Sequence, residues 1–506
     1  MNSRRILLLL IPLFAACSQK PNEAQPTLPE LTYNNAPAVI SGKIEGYNSE
    51  MNFPELKLEK INPILEFDAD KKIVINEDGT FRKEIVTGLP MLTTLKPWGT
   101  RVFLVPGNET TVTIDAASMS EADKAPDISV ENKWLSNKES QAITGILKNS
   151  FSYDRAFLEV DGMSPKDFLN WIQGVNNEAA GRLDSAGITG NARVLAEAEL
   201  RNMSVIYAIL YRDLVEEAYF TVRNIPYEER PNHDVNPPVP DDTYYKELVQ
   251  RFFSESIAYS SQFGRAADYL LDYLVLDNPE NKDKTNEEKL SMFSKDIAGL
   301  TTTNTSLLQE ITRARMQAQR LEEGDFLSDE EKQSLKTTFS NKAIAEFLIT
   351  QNDEIKTFIE SNQAATIEGV VINQVPDVDQ NKVLSTIIEK YKGKVVLVDF
   401  WATWCGPCMR AMEAMKPVKA QYKGKDVVFV YLTGETSPIG AWNKTIPDIK
   451  GEHYRVTASQ WRYWYKELGI EGVPTFMVFD RKGKFTAKYT GFPGAEEIEA
   501  SINANL

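Results

Sequence analysis

Cysteine and histidine are scarce in this sequence, with three of one and two of the other among 506 residues. That excludes a disulfide-stapled scaffold, which needs many half-cystines in a short chain. It also argues against a structural zinc centre, which takes four Cys or His ligands. His233 and His453 lie near neither each other nor the Cys405/Cys408 pair, and no metal site is expected. Basic runs are missing as well, and the net charge is −16. Nucleic acid and anionic lipid surfaces reward clustered Lys and Arg, so binding to either by charge is not expected. The apolar run Ile6 to Ala16 is about half of the roughly 20 residues that cross a bilayer. No internal repeat is found. The rest of the composition, 42% hydrophobic and 25% charged, suits soluble globular domains, about three at this length.

The first thing present is an address. Arg4 and Arg5 precede the short apolar run, which ends in small residues, the pattern of an export signal. Ala15-Ala16-Cys17 then resembles the lipobox of bacterial lipoproteins, with Phe14 where that family usually has Leu. The resemblance implies that residues 1–17 are a signal peptide and that Cys17 is lipidated. Simple secretion, with Cys17 incidental, is the competing reading. By analogy with lipoprotein sorting, Ser18 in place of Asp favours the outer membrane. The membrane would be met through the lipid anchor only, at about 0.8 kcal/mol per buried methylene. Residues 18–30, rich in Pro, Gln and Asn, read as a flexible tether.

Three segments follow. Residues 31–120 read as β-rich: Val39–Ile44, a hairpin of Ile73–Ile75 with Phe81–Val86, then Val102–Val105 and Val112–Ile114. A small antiparallel sandwich or barrel fits. The stretch around Leu104-Val105-Pro106-Gly107 resembles the small β-domain that precedes redox domains in many bacterial lipoproteins. Residues 130–365 read as an all-α domain. Ser164-Pro165 starts one helix, with Phe168, Trp171, Ile172 and Val175 on one face. Met203, Ile206, Leu210 and Leu214 form another stripe, and Ser328 to Glu331 reads as a capping box. Residues 366–506 switch to alternating β and α, with Val395–Phe400 as a strand buried on both faces.

The chemistry sits at Val398-Asp399-Phe400-Trp401-Ala402-Thr403-Trp404-Cys405-Gly406-Pro407-Cys408. This segment resembles the thioredoxin active site almost residue for residue, so the fold expected for 366–506 is a thioredoxin fold. A Cys at a helix N-terminus faces unpaired N–H groups and the positive end of the helix dipole, which favours the thiolate. Cys405 is therefore the expected nucleophile, and Cys408, on the first helical turn, the expected resolving thiol. Pro407 stiffens that turn, with Trp404 and Gly406 completing the motif.

The same resemblance carries over two further positions. Val473-Pro474-Thr475 looks like the cis-proline loop, whose residue before the proline pairs with bound substrate. That makes Val473 and Trp404 substrate-binding candidates; an ordinary trans proline before a strand is the alternative. Asp399 matches the buried acid that exchanges protons with the second Cys, and burial should raise its pKa. A structural acid satisfied by a neighbour is the alternative there.

Residues 366–506 as a whole resemble the TlpA-like membrane-attached thiol–disulfide oxidoreductases. The longer stretch before the proline loop, with Trp442 and Trp461 to Tyr465, is similar to that family's insertion. The chain departs from several members by carrying Ala411 three residues after Cys408, where they have Glu; Glu413 lies on a different helical face. Trp461 and Tyr463 read either as core or as a docking surface.

The resemblance implies a reductase of disulfides in exported envelope proteins, fed by a membrane electron donor, with its catalytic domain in the periplasm. No cofactor is implied. An oxidase or isomerase is the nearest alternative. Another class is a binding or scaffold lipoprotein whose redox domain serves one client.

Overall fold

The computed structural model describes residues 26–51, 53–65, 72–119, 126–276, 278–364 and 368–506. The signal-peptide and lipidation readings, Cys17 included, lie outside the described residues. Among the described residues, no helix is long and apolar enough to cross a membrane.

Among the described residues, seven strands precede the first long helix: β1 (Ala38–Glu45), β2 (Lys57–Leu58), β3 (Thr80–Ile85), β4 (Met91–Lys96), β5 (Thr100–Leu104), β6 (Glu109–Asp115) and β7 (Asp127–Glu131). They form one sheet of order β3-β1-β6-β7 and another of order β2-β4-β5. Inward residues of the first sheet, such as Ile40, Phe81, Val112 and Val130, share a core with Leu58, Leu95, Val102 and Leu104 of the second. The arrangement is a sandwich, with three differences from expectation. β1 and β6 pair in parallel, not antiparallel, because the chain between them passes through the other sheet. Ile73–Ile75 makes only isolated bridging contacts, and β3 takes β1 as its partner; Val74 points to solvent. β7 lies past residue 120 and closes the first sheet.

The tether reading of 18–30 ends too late. Carbonyls of Pro26, Thr27 and Pro29 accept hydrogen bonds from Asn191 Nδ2, Trp134 Nε1 and Tyr259 OH at 2.8, 3.1 and 2.6 Å. A proline-rich segment has few N–H groups for a ladder, so side-chain donors hold it instead.

Helices run from Asn137 to Ala364. Ser164 accepts the Asp167 N–H and caps the helix Pro165–Ser185, which buries Phe168, Ile172 and Val175. The stripe from Met203 to Leu214 spans two helices, Gly190–Ile209 and Tyr211–Val222, with the break at Leu210. Ser328 and Glu331 make a reciprocal capping box for Asp329–Thr338. The buried Arg315 pairs with Asp268 and donates to Pro63 O at 2.7 Å, tying helices to the sandwich.

The C-terminal sheet holds β8 (Val370–Ile372), β9 (Val395–Phe400), β10 (Val427–Gly434), β11 (Gly451–Val456), β12 (Thr475–Phe479) and β13 (Phe485–Thr490), in the order β13-β12-β9-β10-β11-β8. β8 to β11 are parallel; β12 runs antiparallel to both β9 and β13. Every residue of β9 is buried. Alternation sends Val395 and Leu397 under the helices Gly406–Gln421 and Ala495–Asn503. Val396, Val398 and Phe400 go to the opposite face, with the helices Val383–Glu389 and Ala458–Glu467. Asp399 thus falls on the face of the helix that starts after Cys405. Trp461 and Trp464 lie on the other face, buried against Phe400, so Trp461 is core and not a docking surface.

Candidate active site

The site forms where two strand ends meet. β9 runs toward residue 400 and hands over to the loop 401–405; β12, antiparallel beside it, begins at Thr475 opposite Phe400. Residues before Thr475 therefore lie next to the loop that carries the cysteines. Val473-Pro474 is a cis peptide, and Cys405 Sγ lies 3.4 Å from the Val473 carbonyl oxygen.

Cys405 caps the helix Gly406–Gln421, its Sγ accepting the Cys408 N–H at 3.1 Å. Cys405 and Cys408 are joined as a disulfide, with Cα atoms 5.3 Å apart. Both are buried, at 3% and 0% exposure. Trp404 beside them is 53% exposed. The loop is held from behind: Thr403 N–H donates to Ser437 Oγ at 3.0 Å, and Trp404 Nε1 to Thr436 O at 3.1 Å.

Asp399, on the strand that leads into the cysteine loop, is buried, and its Oδ1 has no hydrogen-bond partner among the described residues. Burial pushes its carboxyl up to about 8, against the downward pull of Lys419. It lines a cavity of about 10 Å³, the room one water needs, together with Tyr431, Met412, Met415 and Phe476.

Residues 350–505 match the Redoxin family model. The chain is 27% identical over 115 residues to the thiol–disulfide oxidoreductase ResA of Bacillus thuringiensis, covering 23% of this chain and 65% of that protein. It is 36% identical over 84 residues to a thioredoxin from Synechocystis, covering 17% and 55%. The chain thus spans a little under two thirds of the ResA sequence. Among solved structures, a thiol:disulfide interchange protein of the thioredoxin family from Chlorobium tepidum shares 25% identity, over 23% of this chain and 83% of that one, with a TM-score of 0.21. Residues 350–505 thus form a Redoxin-type, thioredoxin-like domain that is similar to thiol–disulfide oxidoreductases.

This domain also holds buried and half-buried polar groups that its sequence motifs do not mark. Lys419, three turns along the active-site helix, donates to Tyr431 OH at 2.7 Å and to the Lys450 carbonyl. Burial brings its ammonium down to about 8, while Asp399 pulls it up. Tyr431 pairs in register with Asp399, and burial raises its phenol well above the usual range. His453 stacks on Tyr431 with ring centroids 5.1 Å apart and bonds through Nε2 to Ile449 O at 2.6 Å. Burial lowers it to about 4, so it is neutral at pH 7. The only sequence signal for Lys419 was its spacing on the helix face that carries Met412 and Met415. Among the described residues, no three His, Cys, Asp or Glu side chains gather as metal ligands.

Proposed function

We propose that this chain is an extracytoplasmic disulfide reductase acting on exported proteins, anchored through a lipid on Cys17, with Cys405 and Cys408 as its working dithiol. In the reduced enzyme the Cys405 thiolate attacks one sulfur of a substrate disulfide. A mixed disulfide forms and the other substrate sulfur leaves as a thiolate. The Cys408 thiol gives its proton to Asp399 in those molecules whose carboxyl is ionised, a minority at pH 7 that grows toward pH 8, and attacks Cys405 Sγ. The substrate departs as a dithiol and the Cys405–Cys408 disulfide remains. Two electrons pass to the substrate, and an upstream dithiol must return them.

The observation that carries this reading is the placement of Cys405 Sγ. It receives the Cys408 N–H at the helix start and lies 3.4 Å from Val473 O at the Pro474 loop. Donors aimed at that sulfur favour its thiolate. The Val473 backbone lies where an extended substrate segment would pair, and Trp404 offers the adjoining apolar surface.

The test is the reduction potential of the pair in the whole protein, equilibrated against glutathione and dithiothreitol buffers. A value near −270 mV, about that of thioredoxin, is expected. A value near about −120 mV, that of a strong oxidant, reverses the direction and makes the protein a disulfide donor.

A further inference from the structure

The helix Ile439–Thr445, inserted after β10, has two faces with different partners. On one, Trp442 packs in the cluster of Cys405, Cys408, Trp401 and Met412. On the other, Gly440 lies against the end of the helix Ser306–Glu322. A Cβ on Gly440 would stand 3.2 Å from Glu322 O and 3.3 Å from Ile355 Cγ2. Ile439 belongs to both sides, packed against the core of the helical domain and against the cysteine cluster. Its Cγ2 is 3.0 Å from where a Cβ on Gly324 would be. The residues just ahead of this helix are the ones that hold the active-site loop, Thr436 through Trp404 and Ser437 through Thr403. Arg455 fastens the same turn by donating to Ser437 O at 2.9 Å, and it is faced by Glu435 and by Glu323 of the helical domain.

We infer that the helical domain is a dock for the redox loop: Ile439 and Gly440 are positioning residues that, through Thr436 and Ser437, set the equilibrium between the Cys405–Cys408 dithiol and its disulfide. This rests on the reading of that pair as the working dithiol. The physical step is short. A loop held from behind keeps one sulfur at a high effective concentration beside the other. Freed from the dock, the loop samples more positions and the pair shifts toward the dithiol. Small displacements near reacting groups carry large effects.

Gly440→Leu tests this in the full-length protein. Leucine is a good helix former, so the short helix itself is not weakened. The added side chain instead meets the Glu322 backbone, which must give by a few tenths of an ångström for the Cβ alone and by more for the rest of the leucine. Hydrogen exchange of residues 439–445 reports undocking, and equilibration with glutathione reports the pair. Faster exchange together with a shift of about tenfold toward the dithiol, which is about 30 mV, is expected. The milder Ile439→Ala, which only opens a gap, should shift the same equilibrium about threefold and serves if Gly440→Leu fails to fold. Faster exchange with an unchanged equilibrium in either variant overturns the dock. The glutathione equilibrium reads the pair whether or not the wild-type protein reduces insulin. A wild type inactive on insulin whose variants still shift therefore sinks the reductase reading and leaves the dock standing.

Discussion

Cys405→Ser is expected to abolish insulin reduction, a loss on the order of a thousandfold or more, as when the nucleophile of a covalent catalyst is removed. A serine oxygen cannot form the mixed disulfide, so the first step has no substitute. The variant should nevertheless fold. Cys405 is the N-cap of its helix, and its sulfur accepts the Cys408 N–H. Serine is among the best residues for that position and offers a stronger acceptor. Thermal unfolding measured beside the turbidity assay separates lost chemistry from lost structure. Insulin reduction at the wild-type rate in a folded Cys405→Ser would remove this pair from the mechanism.

The residues most legible in the sequence were those whose roles are local. Val395–Phe400 reads as a strand from an apolar run interrupted only by Asp399, and it is one, at those bounds. The capping residues Ser164 and Ser328 announce their helices because a side-chain oxygen three residues before an N–H is a short-range event. The cysteines, Trp404 and Pro474 came as a motif, and the antiparallel setting of β12 against β9 brings the two halves of that motif together.

What escaped is what depends on the partner across space. β4 is buried on both sides and mixes Met, Leu and Thr, so it lacks the alternation that marks a half-exposed strand. β8 has three residues and β2 only two, too few for any period to show. Lys419 gave no sign of burial, because a lysine on an amphipathic helix ordinarily points to water. Its place follows from Tyr431 and the Lys450 carbonyl, which reach it from the sheet. Gly440 was silent for the same reason: a glycine's importance lies in what approaches it, here a turn of helix more than a hundred residues earlier.

Asp399→Asn is expected to stabilise the redox domain while slowing it. The carboxyl is held near 8 in the folded protein and returns to about 3.8 when the chain unfolds. Because the folded value is the raised one, stability is fully present below about pH 3.8 and is lost as pH rises toward 8. Each pH unit in that window removes about 1.4 kcal/mol. At pH 7 the cost is ~4 kcal/mol, and an asparagine, which never ionises, escapes it. Two effects trim the gain. The buried amide needs partners of its own, at about 1–3 kcal/mol if they are missing. Lys419 also loses its facing acid, which lowers its ammonium further. A net gain of about 1–3 kcal/mol at pH 7 is therefore the expected result; it vanishes between about pH 4.5 and 6, and near pH 4 the variant is the less stable by up to about 2 kcal/mol. It is read from urea unfolding of the redox-domain transition at a series of pH values. The same variant should resolve the mixed disulfide about a hundredfold more slowly near neutrality, since the carboxylate assigned to take the Cys408 proton is gone. A variant matching the wild type in both stability and resolution at pH 7 would mean that Asp399 is ionised in the folded protein and plays no part in the exchange. A gain in stability with unchanged resolution would keep the buried, protonated acid and move the proton acceptor elsewhere, with the lowered Lys419 amine the group to examine.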